Sequence, residues 1–238
     1  MLRDWFLPDC PGPLIGLHVL ATGHGACLVD RWPRPRAVLV QTAENFSLAG
    51  DPAALQPGTL QARVSGFVEA SDAFIPLLSA AFSTARVWER VVFDQKRQPL
   101  RPAIAPGYRV RRLEPADAYH LWALGPDIAW IYKTWGGPAG LAASGSAWGA
   151  FRDGRLQSVA CTFFVGDRYE DVGVVTEQAA RGRGLSAACA SALCDDIRHR
   201  GRRPSWTTSP DNTASQRVAD KLGFELERRD RLYIVGTG

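Results

Sequence analysis

The sequence predicts an α/β protein built on a mixed sheet, and three observations carry that prediction. Residues 147–152 and 156–165 are apolar, strand-forming runs joined by Asp153-Gly154, a dipeptide suited to the tight turn of an antiparallel hairpin. Val172-Gly173-Val174-Val175-Thr176 is apolar on both faces, as a strand in a sheet's interior must be. It passes through a glycine-arginine turn into a helical segment reaching about Arg200, so strand, turn and helix follow one another directly.

Composition bounds what else the chain can be. Hydrophobic residues make up 46% and charged residues 22% of the 238, which supports a packed core and excludes a disordered, collagen-like or disulfide-stapled chain. No run approaches the roughly 18 apolar residues that cross a bilayer, and Met1-Leu2-Arg3-Asp4-Trp5 does not open a secretion signal, so a cytoplasmic protein is expected. A net charge of +4 suits an anionic ligand without arguing for nucleic acid. Only Lys96, Lys133 and Lys221 are lysines; arginine, alanine, glycine and proline abound, as in a GC-rich bacterial genome. The five cysteines are scattered without zinc-ligand spacing, so they read as reduced packing residues and no metal site is expected.

Pro99, Pro102, Pro106 and Gly107 interrupt any long element and place an expected boundary between domains 1–105 and 106–238. Before it, residues 26–30 and 37–42 read as strands. Phe74, Leu77, Leu78, Ala81, Phe82 and Ala85 recur at helical spacing, which predicts a helix over 72–88 capped by Ser71 or Asp72. This half is thus a smaller α+β domain, with His18 and His24 as packing or loop residues. After the break, residues 108–113 form a short strand, Glu114-Pro115 opens helical segments lasting through Trp135, and Gly136-Gly137-Pro138 stops them.

Arg181-Gly182-Arg183-Gly184-Leu185-Ser186 carries the chemistry. A helix N-terminus offers unpaired N–H groups and the positive end of the helix dipole, and glycine lets a phosphate approach the backbone. The spacing is not that of a nucleotide-binding lysine loop, and Gly182-x-Gly184-x-x-Ala187 matches a dinucleotide fingerprint only weakly and late in the chain.

Arg181-x-x-Gly184-x-Ser186 resembles the acetyl-CoA loop of the GNAT superfamily of N-acetyltransferases. Asn212-Thr213-Ala214-Ser215, followed by Val218, Ala219, Lys221 and Leu222-Gly223-Phe224, is similar to that family's later helix, and a last strand at 232–235 falls where the family has one. The resemblance covers about 107–238 and extends to bacterial relatives with an extra N-terminal half, which here would be either a separate small domain or a divergent GNAT-like copy. It implies a sheet whose fourth and fifth strands splay apart to admit the pantetheine arm. Val174, Val175 and Thr176 would line that arm, backbone amides of Arg183, Gly184, Ser186 and Ala187 would hold the pyrophosphate, and Arg181 and Arg183 would add charge. Asn212 and Ser215 would contact the cofactor from the later helix.

The implied activity is acetyl-CoA-dependent transfer to an amine, a small molecule in the first instance, by a monomer or homodimer. Deprotonating the amine would fall to Asp171, with Glu170 as the alternative. The family's thiolate-protonating tyrosine position is Ala219 here, which leaves Ser215, Cys189, Tyr233 or water as substitutes. A non-catalytic acyl-CoA sensor, and an acyltransferase of protein or tRNA, stand as rival readings. Trp122, Trp130, Trp135 and Trp148 are candidates for covering the acceptor, and Arg198–Arg203 reads as a basic helix end.

Overall fold

A computed structural model describes residues 2–98 and 102–236. In chain order the elements are α1 (Ile15–Thr22), β1 (Ala26–Val29), β2 (Ala37–Thr42), β3 (Asn45–Gly50), α2 (Pro57–Gln61), β4 (Gly66–Glu69), α3 (Ile75–Ala81) and β5 (Arg86–Gln95). The second half continues with β6 (Arg109–Arg112), α4 (Ala118–Trp122), α5 (Pro138–Ala143), β7 (Ala147–Arg152), β8 (Arg155–Val165) and β9 (Tyr169–Thr176). It closes with α6 (Leu185–His199), β10 (Arg203–Thr208), α7 (Thr213–Lys221) and β11 (Phe224–Val235). All eleven strands form one sheet in the order β1-β2-β3-β4-β11-β5-β10-β9-β8-β7-β6.

The four strands on either side of the central β11/β5 pair repeat one arrangement, and β6 is an additional edge strand on the β5 side. On each side a strand pairs antiparallel with the centre (β4 on β11, β10 on β5), and the next two are parallel (β3 with β4, β9 with β10). The halves also exchange their last strands. β5 hydrogen-bonds to β10 of the second half, and β11 hydrogen-bonds to β4 of the first. The expected boundary at 105/106 therefore does not divide the sheet: the proline-rich stretch links halves that share their central strands. Helix α1 adds a further tie, because Leu14, Ile15 and Leu17 pack against Phe164 and Tyr169 of β8 and β9.

Local expectations fared unevenly. Asp153 and Gly154 have φ of 51° and 72°, the two left-handed residues of a type I′ turn, and they close the β7–β8 hairpin as read. Helix α3 ends at Ala81, so the helix expected over 72–88 stops seven residues early and β5 begins at Arg86. Gly136 does end the 3₁₀ turns of 129–135, but Pro138 starts α5 rather than a stop, as a proline at the first helical position can.

The core that positions the site lies on both faces of β7–β10. Leu185, Cys189, Leu193 and Ile197 of α6 pack with Trp206 and Phe224 on one face. Leu121, Ile131 and Leu141 pack against Val159 and Val175 on the other. Cys189 and Cys194 are wholly buried, and burial pushes both thiols up to about 12. His18 is buried as well. Its Nδ1 accepts from Val165 N–H (3.2 Å), so Nε2 carries the proton and donates to the Thr134 carbonyl (2.9 Å).

Candidate active site

β9 and β10 run in register from Tyr169/Arg203 to Val172/Trp206 and no further. Beyond that point Gly173–Thr176 keep β8 on one side and have no strand on the other. Both strands enter α-helical connections, and parallel neighbours that diverge this way leave peptide groups free to pair with an inserted chain. A cleft of about 1090 Å³ opens there, lined by Val172–Thr176, the turn at 180–187, and Trp206, Thr207, Asn212, Ser215 and Val218.

The turn is shaped for an anion. Gly182 and Gly184 have φ of 77° and 79°, and a Cβ on Gly184 would stand 2.6 Å from the Ala103 carbonyl oxygen. The first intrahelical bond of α6 is Ala188 N–H to Gly184 C=O, which leaves the N–H groups of Leu185, Ser186 and Ala187 without intrahelical acceptors at the mouth of the cleft. A hydroxyl chain fixes the strand to the turn. Ser158 Oγ donates to the Val175 carbonyl (2.8 Å), Thr176 Oγ1 lies 2.7 Å from Ser158 Oγ, and Ser186 Oγ lies 2.7 Å from Thr176 Oγ1. With the Ser158 proton committed, Thr176 must donate to Ser158 and Ser186 to Thr176. Ser186 thus presents lone pairs outward, and donors to an anion must come from the backbone.

The two arginines of the turn differ from expectation. Arg183 Nη1 donates to the Ala179 carbonyl (2.7 Å) and to Tyr108 Oη (3.1 Å), holding the turn in shape. Arg181 Nε lies 3.4 Å from the Thr176 carbonyl. Both line the cleft with Lys221.

Asp171 and Glu170 part company because adjacent strand residues point to opposite faces. Asp171 lines the cleft where the two strands separate. Ser205 Oγ and Thr207 Oγ1 each donate to its Oδ1 at 3.0 Å, which leaves Oδ2 for a proton, and burial pushes the carboxyl up to about 6 despite those two bonds. Glu170 lies on the other face, 1% exposed, accepting from Arg200 (2.6 and 2.9 Å), Arg202 (3.0 Å) and Thr162 Oγ1. Burial there is outweighed by the donors, and the carboxyl is held below its usual range. Glu170 thus points away from the cleft and anchors the basic segment 200–203 to the sheet. Arg203 of that segment pairs with Asp94, and Arg198 just before it pairs with Asp195.

Helix α7 turns Ala214, Ser215, Val218 and Lys221 to the cleft, whereas Ala219 is fully buried beside Leu222 and Phe224. Position 219 thus faces the core. Asn212 caps α7 by accepting from Ser215 N–H (3.1 Å). Trp206 Nε1 donates to Ser215 Oγ (2.9 Å), so the Ser215 proton remains available toward the cleft. Cys189 and Tyr233, the other candidate acids, lie in the core.

Of the four tryptophans singled out, Trp130 alone lines the cleft. Trp135 and Trp148 donate to Thr162 O (2.7 Å) and Asp196 (2.6 Å), and Trp122 is 76% exposed. The far wall comes from the first half of the chain: Glu44, Asn45, Phe67, Trp88 and Arg90. None of these five was legible as a site residue, because their strands reach the cleft only through the exchange at β11 and β5.

Comparisons with known proteins match this architecture. The family model described as GNAT acetyltransferase matches residues 14–233. An uncharacterised N-acetyltransferase encoded in the mutA 5′ region of Streptomyces virginiae is 47% identical over 196 residues, covering 81% of this chain and 82% of its own. A GCN5-related N-acetyltransferase-like protein from Streptococcus suis superposes with a TM-score of 0.74 at 18% identity, over 98% of this chain and 96% of its own. A tandem GNAT protein from the clavulanic acid biosynthesis pathway gives 0.61 at 15% identity, over 98% and 90%. The last two likenesses are of fold alone.

Proposed function

The chain belongs to the GNAT acetyltransferase family and is an N-acetyltransferase, and from that premise we propose that it acetylates a small-molecule amine, with acetyl-CoA seated between the glycine turn and the open edge of β9. One observation carries the reading: Asp171, a buried carboxyl with a free Oδ2, stands where β9 and β10 separate, in the same cleft as the α6 N-terminus.

The residues present fit acetyl-CoA. Gly173–Thr176 offer an unpaired strand edge to an amide-bearing arm, and the first-turn N–H groups of α6, with Arg181 and Lys221 nearby, suit a diphosphate. When bound, acetyl-CoA supplies an acyl group already activated as a thioester. The protein's own work is then to hold the acceptor beside it and to move two protons. Asp171 Oδ2 takes the proton of the incoming ammonium. Raising that carboxyl from 3.8 to about 6 narrows the gap to an amine by roughly 3 kcal/mol at 1.4 kcal/mol per unit. Ser215, oriented by Trp206, would donate a hydrogen bond to the leaving thiolate, which takes as its proton the one lost by the amine nitrogen as the amide forms. A thiol has a solution pKa near 8.5, so this donor need contribute only modestly.

Calorimetry with acetyl-CoA and a thiol-release assay over an amine panel test the proposal, with Ser215→Ala as a probe. Tight acetyl-CoA binding with thiol release above the no-acceptor rate is expected, and Ser215→Ala should lower turnover by less than about tenfold. Binding without release for any small amine would replace this reading with a sensor or a macromolecular acceptor.

A further inference from the structure

The cleft is electrically divided. Its cofactor end carries Arg181, Arg183 and Lys221, and the opposite end balances differently. There Lys133 Nζ is 2.6 Å from Glu44 Oε1, and Arg90 Nη2 is 2.8 Å from Asp230 Oδ2, so each cation already has its carboxylate. Asp171 is the acid left at this end, hydrogen-bonded only to the hydroxyls of Ser205 and Thr207. Around Arg90 the balance is the same, since Asp171, Glu69 and Asp230 face Arg90 and Arg228, three acids to two cations.

The walls of that end are aromatic. Phe67 and Trp88, from β4 and β5, lie with ring centroids 5.0 Å apart. Trp130 and Phe163, from the opposite half, lie 5.3 Å apart. Aromatic faces attract an ammonium and gain by covering apolar surface, whereas a carboxylate entering this end would lose its water, face aromatic rings and meet an acidic excess. Arg90 does not reverse this: the residue is 3% exposed, Nη2 is held by Asp230, and Nε, although without a partner, is itself buried and out of reach of an entering carboxylate.

Building on the activity proposed above, we infer that the acceptor is a cationic amine carrying an apolar or aromatic group and no carboxylate next to the amine, gripped between the Phe67/Trp88 and Trp130/Phe163 walls with its nitrogen toward Asp171. The inference separates arylalkylamines and amino-acid amides from free amino acids.

The test uses the full chain saturated with CoA, which cannot react, and measures by calorimetry the binding of three ligands sharing one ring: phenethylamine, phenylalaninamide and phenylalanine. Phenethylamine and phenylalaninamide are expected to bind at least tenfold more tightly than phenylalanine. Trp130→Ala, at a 40% exposed position, should weaken both preferred ligands at least fivefold while leaving CoA affinity unchanged. Equal or tighter binding of phenylalanine, absence of amine binding, or indifference to Trp130→Ala each overturns the inference. Thiol release with any other small amine would leave the proposed acetyl transfer standing in those cases, so the two failures are distinguishable.

Discussion

Arg90 of β5 lies directly opposite Asp230 of β11, with Nη2 2.8 Å from Oδ2, on the two strands that the halves of the chain exchange. Arg228 of β11 stands 3.5 Å from the same Asp230, and Val91, Val92, Leu232 and Tyr233, near the pair in the seam between these strands, are buried. Serine-carboxylate pairs flank it on both sides: Ser47 stands opposite Glu69 across β3/β4, and Ser205 opposite Asp171 across β10/β9. Both outer carboxyls are pushed up by burial, Glu69 to about 7 and Asp171 to about 6, although Arg90 and the hydroxyls pull them down.

Removing Arg90 should therefore do more than remove one ion pair. Arg90→Met leaves Asp230, Glu69 and Asp171 with Arg228 as their one remaining shared cation, and breaking a buried pair costs up to about 3–5 kcal/mol. Adding Asp230→Asn should return at least 1 kcal/mol of that loss, because the two sites are coupled. Denaturant unfolding of the two single variants and the double variant reads the cycle. Purely additive costs would show that the seam is held by its apolar neighbours alone.

The exchange explains which parts of the molecule were legible from sequence. The hairpin, the glycine turn, α6 and α7 are specified by residues close in the chain, and each emerged within a residue or two of its reading. β5 and most of β11 did not. Their runs, Trp88-Glu89-Arg90-Val91 and Glu225-Leu226-Glu227-Arg228-Arg229-Asp230, carry charge at strand positions. Much of that charge is satisfied by partners distant in the chain: Arg90 by Asp230, Lys96 by Glu227, Arg97 by Glu225 and Arg231 by Asp72. Nothing local marks such a segment as a central strand, and the helical spacing of 74–85 runs up to its edge. The acceptor wall was lost for the same reason, since Phe67, Trp88 and Arg90 lie on strands whose neighbours come from the other half.

At the glycine turn, sterics and electrostatics can be separated. Gly182 has open space around its Cα, whereas Gly184 faces the Ala103 carbonyl. Gly182→Asp adds a negative charge at the mouth of α6 with about 1–2 kcal/mol of left-handed strain. Acetyl-CoA affinity should fall at least tenfold, about 1.4 kcal/mol. Gly184→Ala adds no charge yet should lower stability more than Gly182→Asp. Unchanged affinity in Gly182→Asp, measured by calorimetry, would remove the pyrophosphate from this turn.

His18 sets an acid-dependent stability. Burial lowers its pKa from 6.5 to about 4, outweighing the bond to Thr134. The unfolded chain therefore binds a proton between pH 6.5 and 4 that the folded one does not, and stability falls as pH drops through that window. The effect reaches roughly 3 kcal/mol. The raised carboxyls of Asp171 and Glu69 act with the opposite sign, losing stability as pH rises toward 6 and 7, so the wild-type profile alone is a mixture. Comparing it with His18→Gln isolates the imidazole. The variant should be less stable at pH 7.5, and the gap should shrink by up to about 3 kcal/mol at pH 4.5. A gap that stays constant with pH would mean that His18 is not held neutral.

The two neighbouring carboxylates predict opposite phenotypes. Asp171 faces the cleft with Oδ2 free and its carboxyl near 6, so kcat/KM should rise with pH through about 6 as the base ionises. Asp171→Asn should abolish that limb and lower turnover by about 10² to 10⁴, with acetyl-CoA binding retained. The loss should shrink at high pH, where free amine accumulates without help. Glu170 serves Arg200, Arg202 and Thr162 on the other face, so Glu170→Gln should keep the pH limb and most of the rate while reducing stability, because three donors lose a charged acceptor. Rate measurements across pH 5 to 9 on both variants decide the assignment. If Glu170→Gln rather than Asp171→Asn removes the acid limb, the base lies on the wrong face of β9 for this cleft and the proposed proton path fails.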